Sequence, residues 1–182
     1  MRRVSMVGTP GSGKTTLGRA LAERLGVPYL ELDSVFHQAG WEPLPADELR
    51  ARAAEVVAGD GWVVDGNYSA VRELVWARAD TVVWFDRPKW QVVWRVVLRS
   101  LRRTATREVL WNGNREPLRG LLPVDREHSV IAWAWVKHAE YRERYRAAAA
   151  NSDNQNLHFV RIASDADARA LLDSCGPERQ PR

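Results

Sequence analysis

Along most of the chain, the pattern of apolar and polar positions is that of a β-strand in some segments and that of an α-helix in others. Five short apolar runs have the length and composition of buried β-strands, and they span residues 3–7, 29–32, 62–64, 81–85 and 157–162. Apolar residues at helical spacing predict α-helices over residues 14–25, 46–58, 69–78, 89–103, 126–150 and 165–174. Strands that alternate with helices predict an α/β fold with a parallel sheet covered on both faces.

The length of 182 residues suits one folded unit, because a chain of this size buries roughly 70 % of its unfolded surface. We expect a single domain over 1–175 and a flexible tail rich in proline and charge over 176–182. The apolar runs are far shorter than the roughly 20 residues that cross a bilayer, and a strand starts directly after the first residues. A cytoplasmic location without membrane contact follows as an expectation. Cys175 is the single cysteine, which excludes a disulfide or a zinc cluster within the chain.

Positive charge is concentrated in one part of the chain. The net charge is +4, but residues 87–126 hold ten basic and three acidic residues, a local balance of +7. Arginine makes up 24 of the 27 basic residues, and its planar fork of donors suits phosphate oxygens. The cluster predicts a polyanion site; a solvated basic helix face is the alternative.

Nine tryptophans are unusual for this length, and five invite a base-stacking interpretation: Trp84, Trp90, Trp94, Trp133 and Trp135. We expect most of these in the core, because Trp90 and Trp94 lie four apart on a helix and Trp84 lies in an apolar strand. Trp41 and Trp111 lie in predicted loops, where contact with a ligand ring and core packing are both open.

A glycine-rich motif, GTPGSGKTT at 8–16, follows the first strand and opens the first helix. Glycines let the backbone wrap a phosphate chain, and the helix N-terminus favours negative charge, so the motif predicts a phosphate-binding P-loop. Lys14 would reach the outer phosphates, Thr15 would bind Mg²⁺ and Thr16 would support an inner phosphate. Asp65, at the end of a neighbouring strand, would hold a water on the metal. The predicted ATP contacts in this loop are Gly8, Gly11, Ser12, Gly13, Lys14, Thr15 and Thr16.

The motifs that the chain lacks narrow the class of P-loop protein to which it can belong. The chain has no NKxD, the element with which GTPases read guanine. The fourth strand ends in Asp86-Arg87 rather than Asp-Glu, so the glutamate with which motor ATPases activate water is missing. A small kinase, which transfers phosphoryl to a bound substrate and excludes water, fits best.

Further motifs carry a resemblance over about residues 3–165: Leu32-Asp33, Gly40-Trp41-Glu42-Pro43, WVVDGNY at 62–68, Asp86-Arg87-Pro88 and WNGNRE at 111–116. The chain resembles the adenylate-kinase-like P-loop kinases, and within them the small proteins named DNA topology modulation proteins. The resemblance implies a P-loop NTPase three-layer sandwich with a five-stranded parallel sheet in the order 2-3-1-4-5. It also implies an acceptor-binding segment at about 33–61 and an Arg-rich lid at about 104–126.

Arg95, Arg99 and Arg103 are four residues apart, so they share one helix face. The resemblance matches Arg95 and Arg99 with arginines that touch adenine and the transferred phosphoryl; a solvated basic stripe is the alternative. It implies lid positions and a base-framing position for Arg107, Arg115 and Ser164. The predicted catalytic residues are Lys14, Asp33, Arg99 and Arg103.

The acceptor side departs from the resembling kinases. There an arginine after the Asp-Gly pair grips the acceptor nucleotide, whereas this chain has Asp65-Gly66-Asn67-Tyr68-Ser69. Asp33, expected to end the second strand, would bind or deprotonate an acceptor hydroxyl, or else cap the following helix. The predicted acceptor contacts are Asp33, His37, Trp41, Asn67, Tyr68 and Arg72.

These observations predict an ATP- and Mg²⁺-dependent phosphotransferase. It would move the γ-phosphoryl to a nucleoside, nucleotide or similar small hydroxylated metabolite. The alternatives are a nucleotide-responsive DNA-binding regulator, motivated by the basic segment, and a plain ATPase. The acceptor's identity, the choice between a hydroxyl and a phosphate, and the oligomeric state stay open.

Overall fold

The computed structural model describes residues 1–115 and 130–176, with the backbone alone for 130–134. Its strands are β1 (Arg3–Gly8), β2 (Tyr29–Glu31), β3 (Trp62–Asp65), β4 (Thr81–Phe85) and β5 (His158–Ile162). Its helices are α1 (Lys14–Leu25), α2 (Leu32–Phe36), α3 (Ala46–Val57), α4 (Ser69–Trp76), α5 (Lys89–Thr106), α6 (Val130–Ala150) and α7 (Asp165–Ser174). All five predicted strands are confirmed.

The strands form one parallel sheet in the order β2-β3-β1-β4-β5, as the resemblance implies. Successive residues of β1 point to opposite faces of the sheet, and helices cover each face. Val4 and Met6 pack with α1 and α7, whereas Val7 packs with buried tyrosines of α6 on the other face. A third cluster joins α3 and α4 to β3 through Trp62 and Val64. Strands buried on both faces are apolar throughout, which is the pattern seen in the sequence.

The strand register brings the chemistry to one edge of the sheet. In a sheet of this type the ligand crevice lies beyond the carboxyl ends of the strands, where the strand order reverses. β1 is that point, with β3 on one side and β4 on the other. Met6 of β1 and Glu31 of β2 are both in register with Asp65 of β3, so these strands end together beside the P-loop.

The structure corrects the end of the second strand and the length of helix α5. The second strand ends at Glu31, and the chain turns at once into α2, which the sequence pattern did not predict. The Ser34 hydroxyl donates to the Glu31 carbonyl at 2.7 Å and stabilises this turn. Asp33 therefore lies on α2 and does not end the strand. Helix α5 continues three residues beyond the predicted end, to Thr106, and Arg107 closes it with a φ of 49°.

The prediction that Trp90 and Trp94 lie in the core is wrong. Both are exposed on the outer face of α5, and Trp135 of α6 is exposed as well, whereas Trp84 is buried as expected. Helical spacing identifies residues that share a face, but it does not say whether that face meets the sheet. The side chain of Trp133 lies outside the described residues.

Several predictions fall partly outside the described residues. These are the lid beyond residue 115, the start of the sixth helix at 126–129 and the tail beyond residue 176. Within the described part of the chain, no helix combines the length and the apolar character that a membrane span requires.

Candidate active site

The P-loop wraps tightly because its glycines adopt conformations that other residues avoid. Gly8 and Gly11 have φ values of 145° and 78°. A Cβ on Gly11 would lie 2.6 Å from Val96 Cγ2 and 2.8 Å from the carbonyl oxygen of Val92, both in α5. Glycine thus lets α5 pack directly against the loop. Lys14 Nζ donates to the carbonyl oxygen of Thr9 at 3.1 Å, which keeps the ammonium over the loop.

Oxygen atoms from three elements meet beside the P-loop. Thr15 Oγ1 donates to Asp65 Oδ2 at 2.8 Å and lies 3.5 Å from Glu31 Oε1. The Tyr29 hydroxyl also donates to Asp65 Oδ2, at 3.1 Å. Arg19 pairs with Glu31 at 2.8 Å and balances its charge. Sequence reasoning found Thr15 and Asp65 but missed Glu31, because the predicted strand ran one residue too far.

Burial makes the Asp65 carboxylate dependent on a cationic partner. Desolvation raises the pKa of Asp65, against the opposing effects of Lys14 and the Thr15 hydrogen bond. Its Oδ1 atom is buried and has no hydrogen-bond partner among the described residues. Hard oxygen donors of this kind are those that Mg²⁺ prefers in nucleotide sites, where phosphates and water supply the remaining ligands. The residues present therefore fit the predicted metal.

We expect Asp65→Asn to abolish phosphoryl transfer yet raise the melting temperature of the nucleotide-free protein at pH 7 by a few degrees. The folded-state pKa is raised, so this carboxyl contributes its full stability below its unfolded pKa and loses it as the pH rises. Thermal melts from pH 7 to about pH 4 should show the advantage of the asparagine shrinking.

A control with the opposite sign is Asp167→Asn. Backbone hydrogen bonds from Ala163 and Ser164 lower the pKa of Asp167, so its stabilising effect is lost as the pH falls. This variant should be less stable than the wild type at pH 7, and the deficit should shrink toward low pH. A destabilised Asp65→Asn protein at pH 7 would contradict the burial argument.

The Asp33 carboxylate is held by a neighbouring tyrosine. The Tyr68 hydroxyl donates to Asp33 Oδ1 at 2.7 Å, and burial together with Asp33 raises the pKa of Tyr68, which keeps it protonated. Helix α2 places Asp33 two residues beyond the strand end, at the start of the acceptor segment. The structure thus orients Asp33 by a contact that the sequence did not indicate.

Two small loops interlock beside α2, the helix that carries Asp33. One contains Trp41 and is closed by a bridge between His37 and Pro43; the other contains Trp111 and is closed by a bridge between Val109 and Arg115. The rings of His37 and Trp111 stack at 5.9 Å, and burial lowers the pKa of His37. Polar contacts join the same loops through Asn112 Nδ2 to the His37 carbonyl, Asn114 Nδ2 to the Gln38 carbonyl, and Trp41 Nε1 to the Arg115 carbonyl. Trp41 and Trp111 are both half-buried in these loops.

Asn67 and Arg72, two predicted acceptor contacts, have different surroundings. The Asn67 side chain bonds both the N–H and the carbonyl of Gly8, at 2.9 and 2.6 Å, and accepts from the Tyr145 hydroxyl at 3.0 Å. It therefore positions the P-loop against α6. Arg72 is half-buried on the first turn of α4 and has no ion-pair partner within the described residues.

Arg95 of α5 lies beside the P-loop. A Cβ on Gly13 would lie 3.8 Å from Arg95 Nη1. Arg95 pairs with Asp165 at 3.2 Å, and the buried Arg87 pairs with the same carboxylate at 2.6 Å. The pairing of Asp165 with Arg95 was not predicted, because the two residues lie seventy positions apart in the sequence.

Further predicted site residues lie on α5, in the loop that follows it and after β5. Arg99 is half-buried on α5, and Arg103 lies 3.7 Å from Glu108. Arg107 and Arg115 are exposed at the two ends of the loop that follows α5. The Ser164 hydroxyl accepts from the Asp167 N–H and caps α7, so the loop after β5 is held in a defined shape.

Known proteins are similar to this chain in sequence and in fold. A shikimate kinase from Ruegeria pomeroyi is 31 % identical over 140 residues, which cover 64 % of this chain and 71 % of that protein. Three further shikimate kinases match over only 27–29 % of their own length. A gluconokinase from Sinorhizobium meliloti 1021 has a TM-score of 0.53 at 19 % identity, covering 95 % of this chain and 92 % of that one. A shikimate kinase from Acinetobacter baumannii, in complex with shikimate, has a TM-score of 0.55 at 20 % identity, covering 96 % and 90 %. At these identities the two structures show the fold.

The P-loop between β1 and α1, the strand order and the carboxylates at the strand ends define a small P-loop kinase, which confirms the class predicted from the motifs. The chain belongs to the AAA domain family (AAA_33), whose sequence model matches residues 4–172.

Proposed function

We propose that this protein transfers the γ-phosphoryl group of ATP to a hydroxyl of a small hydroxylated metabolite that also carries a negative charge. One observation supports this acceptor above all: Tyr68, which orients the Asp33 carboxylate, lines the same cavity as Arg72, whose guanidinium has no ion-pair partner among the described residues. Burial raises the pKa of Tyr141, Arg72 opposes this rise and Asp33 adds to it.

The two charges suit different parts of one acceptor. A carboxylate accepts a hydrogen bond from a hydroxyl and repels a phosphate, whereas a guanidinium binds a carboxylate or phosphate in bidentate fashion. A hydroxylated acid satisfies both residues. The relatives named shikimate kinase and gluconokinase are kinases of small hydroxylated metabolites, and shikimate itself is a hydroxylated carboxylic acid.

The proposed transfer is an in-line displacement. Asp33 accepts the proton of the acceptor hydroxyl, the acceptor oxygen bonds to the γ-phosphorus, and the bond to the bridging oxygen breaks so that ADP leaves. Lys14 and the arginines of α5 stabilise the negative charge on the transferred group. Thr15, Asp65 and Glu31 would hold Mg²⁺, which neutralises charge on the outer phosphates when it is bound.

Closure of the site would involve the acceptor segment (33–61) and the lid (104–126). His37, Trp41 and Tyr68 line the acceptor side, and the interlocked loops hold Trp41 against the beginning of the lid. We propose that Arg107 and Arg115 approach the phosphates from the lid. The finer resemblance to DNA topology modulation proteins stays a prediction, and the proposed reaction does not depend on it.

A transfer screen tests the proposal. The full chain, ATP labelled at the γ-phosphate and Mg²⁺ would be incubated with hydroxylated carboxylic acids, neutral polyols, nucleosides and nucleoside monophosphates, and each product identified by mass. We expect phosphorylation of a hydroxylated acid on a hydroxyl. Transfer to the phosphate of a nucleoside monophosphate alone, or hydrolysis without any acceptor, would refute it.

Arg99→Ala should lower kcat by about 100-fold while changing ATP affinity little, because a group that acts on the developing charge contributes mainly to the transition state. Arg102→Ala is the matched control, since Arg102 lies on the same helix with 68 % of its side chain exposed and pairs with Glu108. Steady-state kinetics of both variants check this. A pure loss of ATP affinity in Arg99→Ala would assign that arginine to the ground state.

The basic segment gives the DNA-binding alternative less support than its charge suggests. Several of its arginines form ion pairs within the chain, with Asp165 or with Glu108: Arg87, Arg95, Arg102 and Arg103. A salt series distinguishes the alternatives, because DNA binding by several arginines weakens steeply with salt.

A further inference from the structure

The outer face of α5 is apolar where a surface helix is normally polar. Trp90, Trp94, Leu98 and Leu101 recur at positions i, i+4, i+8 and i+11, which places them on one face. We call these four residues the tryptophan stripe. Between 47 % and 69 % of each residue is exposed, whereas Val92 and Val96 on the opposite face are buried against the protein.

The stripe continues onto the neighbouring helix. Trp135 and Val136 of α6 are 54 % and 64 % exposed, and Lys89 Nζ lies 3.6 Å above the centre of the Trp135 ring. Lys89 directly precedes Trp90, so Trp135 lies beside the N-terminal end of the stripe. If each tryptophan side chain has about 250 Å² to bury, the three tryptophans alone expose about 450 Å². An exposed apolar patch of this size is often functional.

We propose that the tryptophan stripe, with Trp135 and Val136, is the interface of a homodimer. A stable interface needs about 800 Å² from each partner, and the three tryptophans together with Leu98, Leu101 and Val136 supply most of it. In a two-fold dimer the same patch meets itself, so an apolar patch without charges is self-complementary. Tryptophans at the centre of such a patch have the largest effect on binding.

The charges around the stripe favour a second copy over a membrane or a nucleic acid. A helix that binds an anionic membrane keeps free cations beside its apolar face. Here Lys89 lies over Trp135, and Arg102 pairs with Glu108 at 3.0 Å. No basic residue lies within the stripe itself, so it offers no cation to pair with phosphate.

The proposed interface is compatible with nucleotide binding in both copies. Val92 and Val96 contact the P-loop from the inner face of α5, and Arg95 lies beside Gly13. The stripe occupies the opposite face of the same helix, so association leaves the phosphate site open. Association would also stabilise α5, the helix against which the P-loop packs.

Sedimentation of the full chain between about 1 and about 100 µM tests the interface. We expect the wild type to show a concentration-dependent monomer–dimer equilibrium. Trp94→Glu should weaken association by about 30-fold or more, the effect of losing one central anchor. Val109→Glu is the control: Val109 is 57 % exposed in the loop after α5, outside the stripe, and its variant should associate within about twofold of the wild type.

Each other outcome overturns the proposal. A wild type that stays monomeric at the highest concentration overturns the proposal. It does so even if the protein binds vesicles containing phosphatidylserine. A dimer that Trp94→Glu leaves intact places the contact elsewhere. If circular dichroism shows that Trp94→Glu is unfolded, Leu101→Glu takes its place. Hydrogen exchange of wild-type α5 should then be slower at high than at low protein concentration, and equal exchange at both would exclude the interface.

Discussion

Lys14→Ala is expected to abolish phosphoryl transfer and to leave the fold intact. The ammonium contacts the P-loop through Thr9 and contributes no core packing, so its loss should cost about 3 kcal/mol or more of transition-state stabilisation, which is more than about 100-fold in rate. Transfer assays and thermal melts of the same preparation check both parts.

The chain offers a matched control for this variant. Lys137 lies on the surface of α6 and pairs with Glu140, far from the P-loop in sequence, so Lys137→Ala should transfer phosphoryl at the wild-type rate. Normal turnover in Lys14→Ala would rule out the proposed mechanism, whatever the acceptor.

Asp33→Asn has the second largest expected effect. If Asp33 accepts the proton of an acceptor hydroxyl, the amide should lower kcat by about 100-fold or more while ATP binding stays near normal. Tyr68→Phe removes the hydrogen bond that orients the carboxylate but keeps the charge, so it should have a smaller effect in the same direction. Steady-state kinetics on the acceptor from the screen measure both variants.

The same variant separates two classes of acceptor. A phosphate acceptor would be repelled by Asp33, so Asp33→Asn would then be neutral or would lower the acceptor's KM. Asp47→Asn, an exposed change on the first turn of α3, controls for a general loss of charge in the acceptor segment. An unchanged kcat on a hydroxyl acceptor would reduce Asp33 to a structural residue of α2.

The P-loop and the sheet could be predicted because their signals are local. Residues 8–16 form a contiguous motif whose conformation depends on its own glycines, and each strand is an apolar run of the right length. The strand order came from a resemblance, since no local pattern specifies which strands become neighbours. Thr15 and Asp65 were found for the same reasons, one from the motif and one from the end of an apolar run.

Residues that depend on long-range contacts were missed or misplaced. Glu31 joins Thr15 and Asp65 through the register of β2 on β3, and Asp165 reaches Arg87 and Arg95 from the far end of the chain. The predicted acceptor contact of Asn67 stays a prediction, whereas its hydrogen bonds to Gly8 and Tyr145 were missed because they exist only once three elements have packed together. The spacing of residues along the sequence does not indicate such partners.

The sequence by itself determined the five strands, most of the helices, the phosphate-binding loop and the kinase class, because these depend on the period of apolar residues and on backbone conformations that glycine permits. Only the tertiary structure decided which face of α5 meets the sheet. The helix is apolar on both sides: Val92 and Val96 pack on the P-loop, while Trp90 and Trp94 are exposed. Periodicity cannot rank two apolar faces, because burial depends on the shape of the neighbouring surface, and the small glycines of the P-loop accept valine and leave the bulkier tryptophans outside.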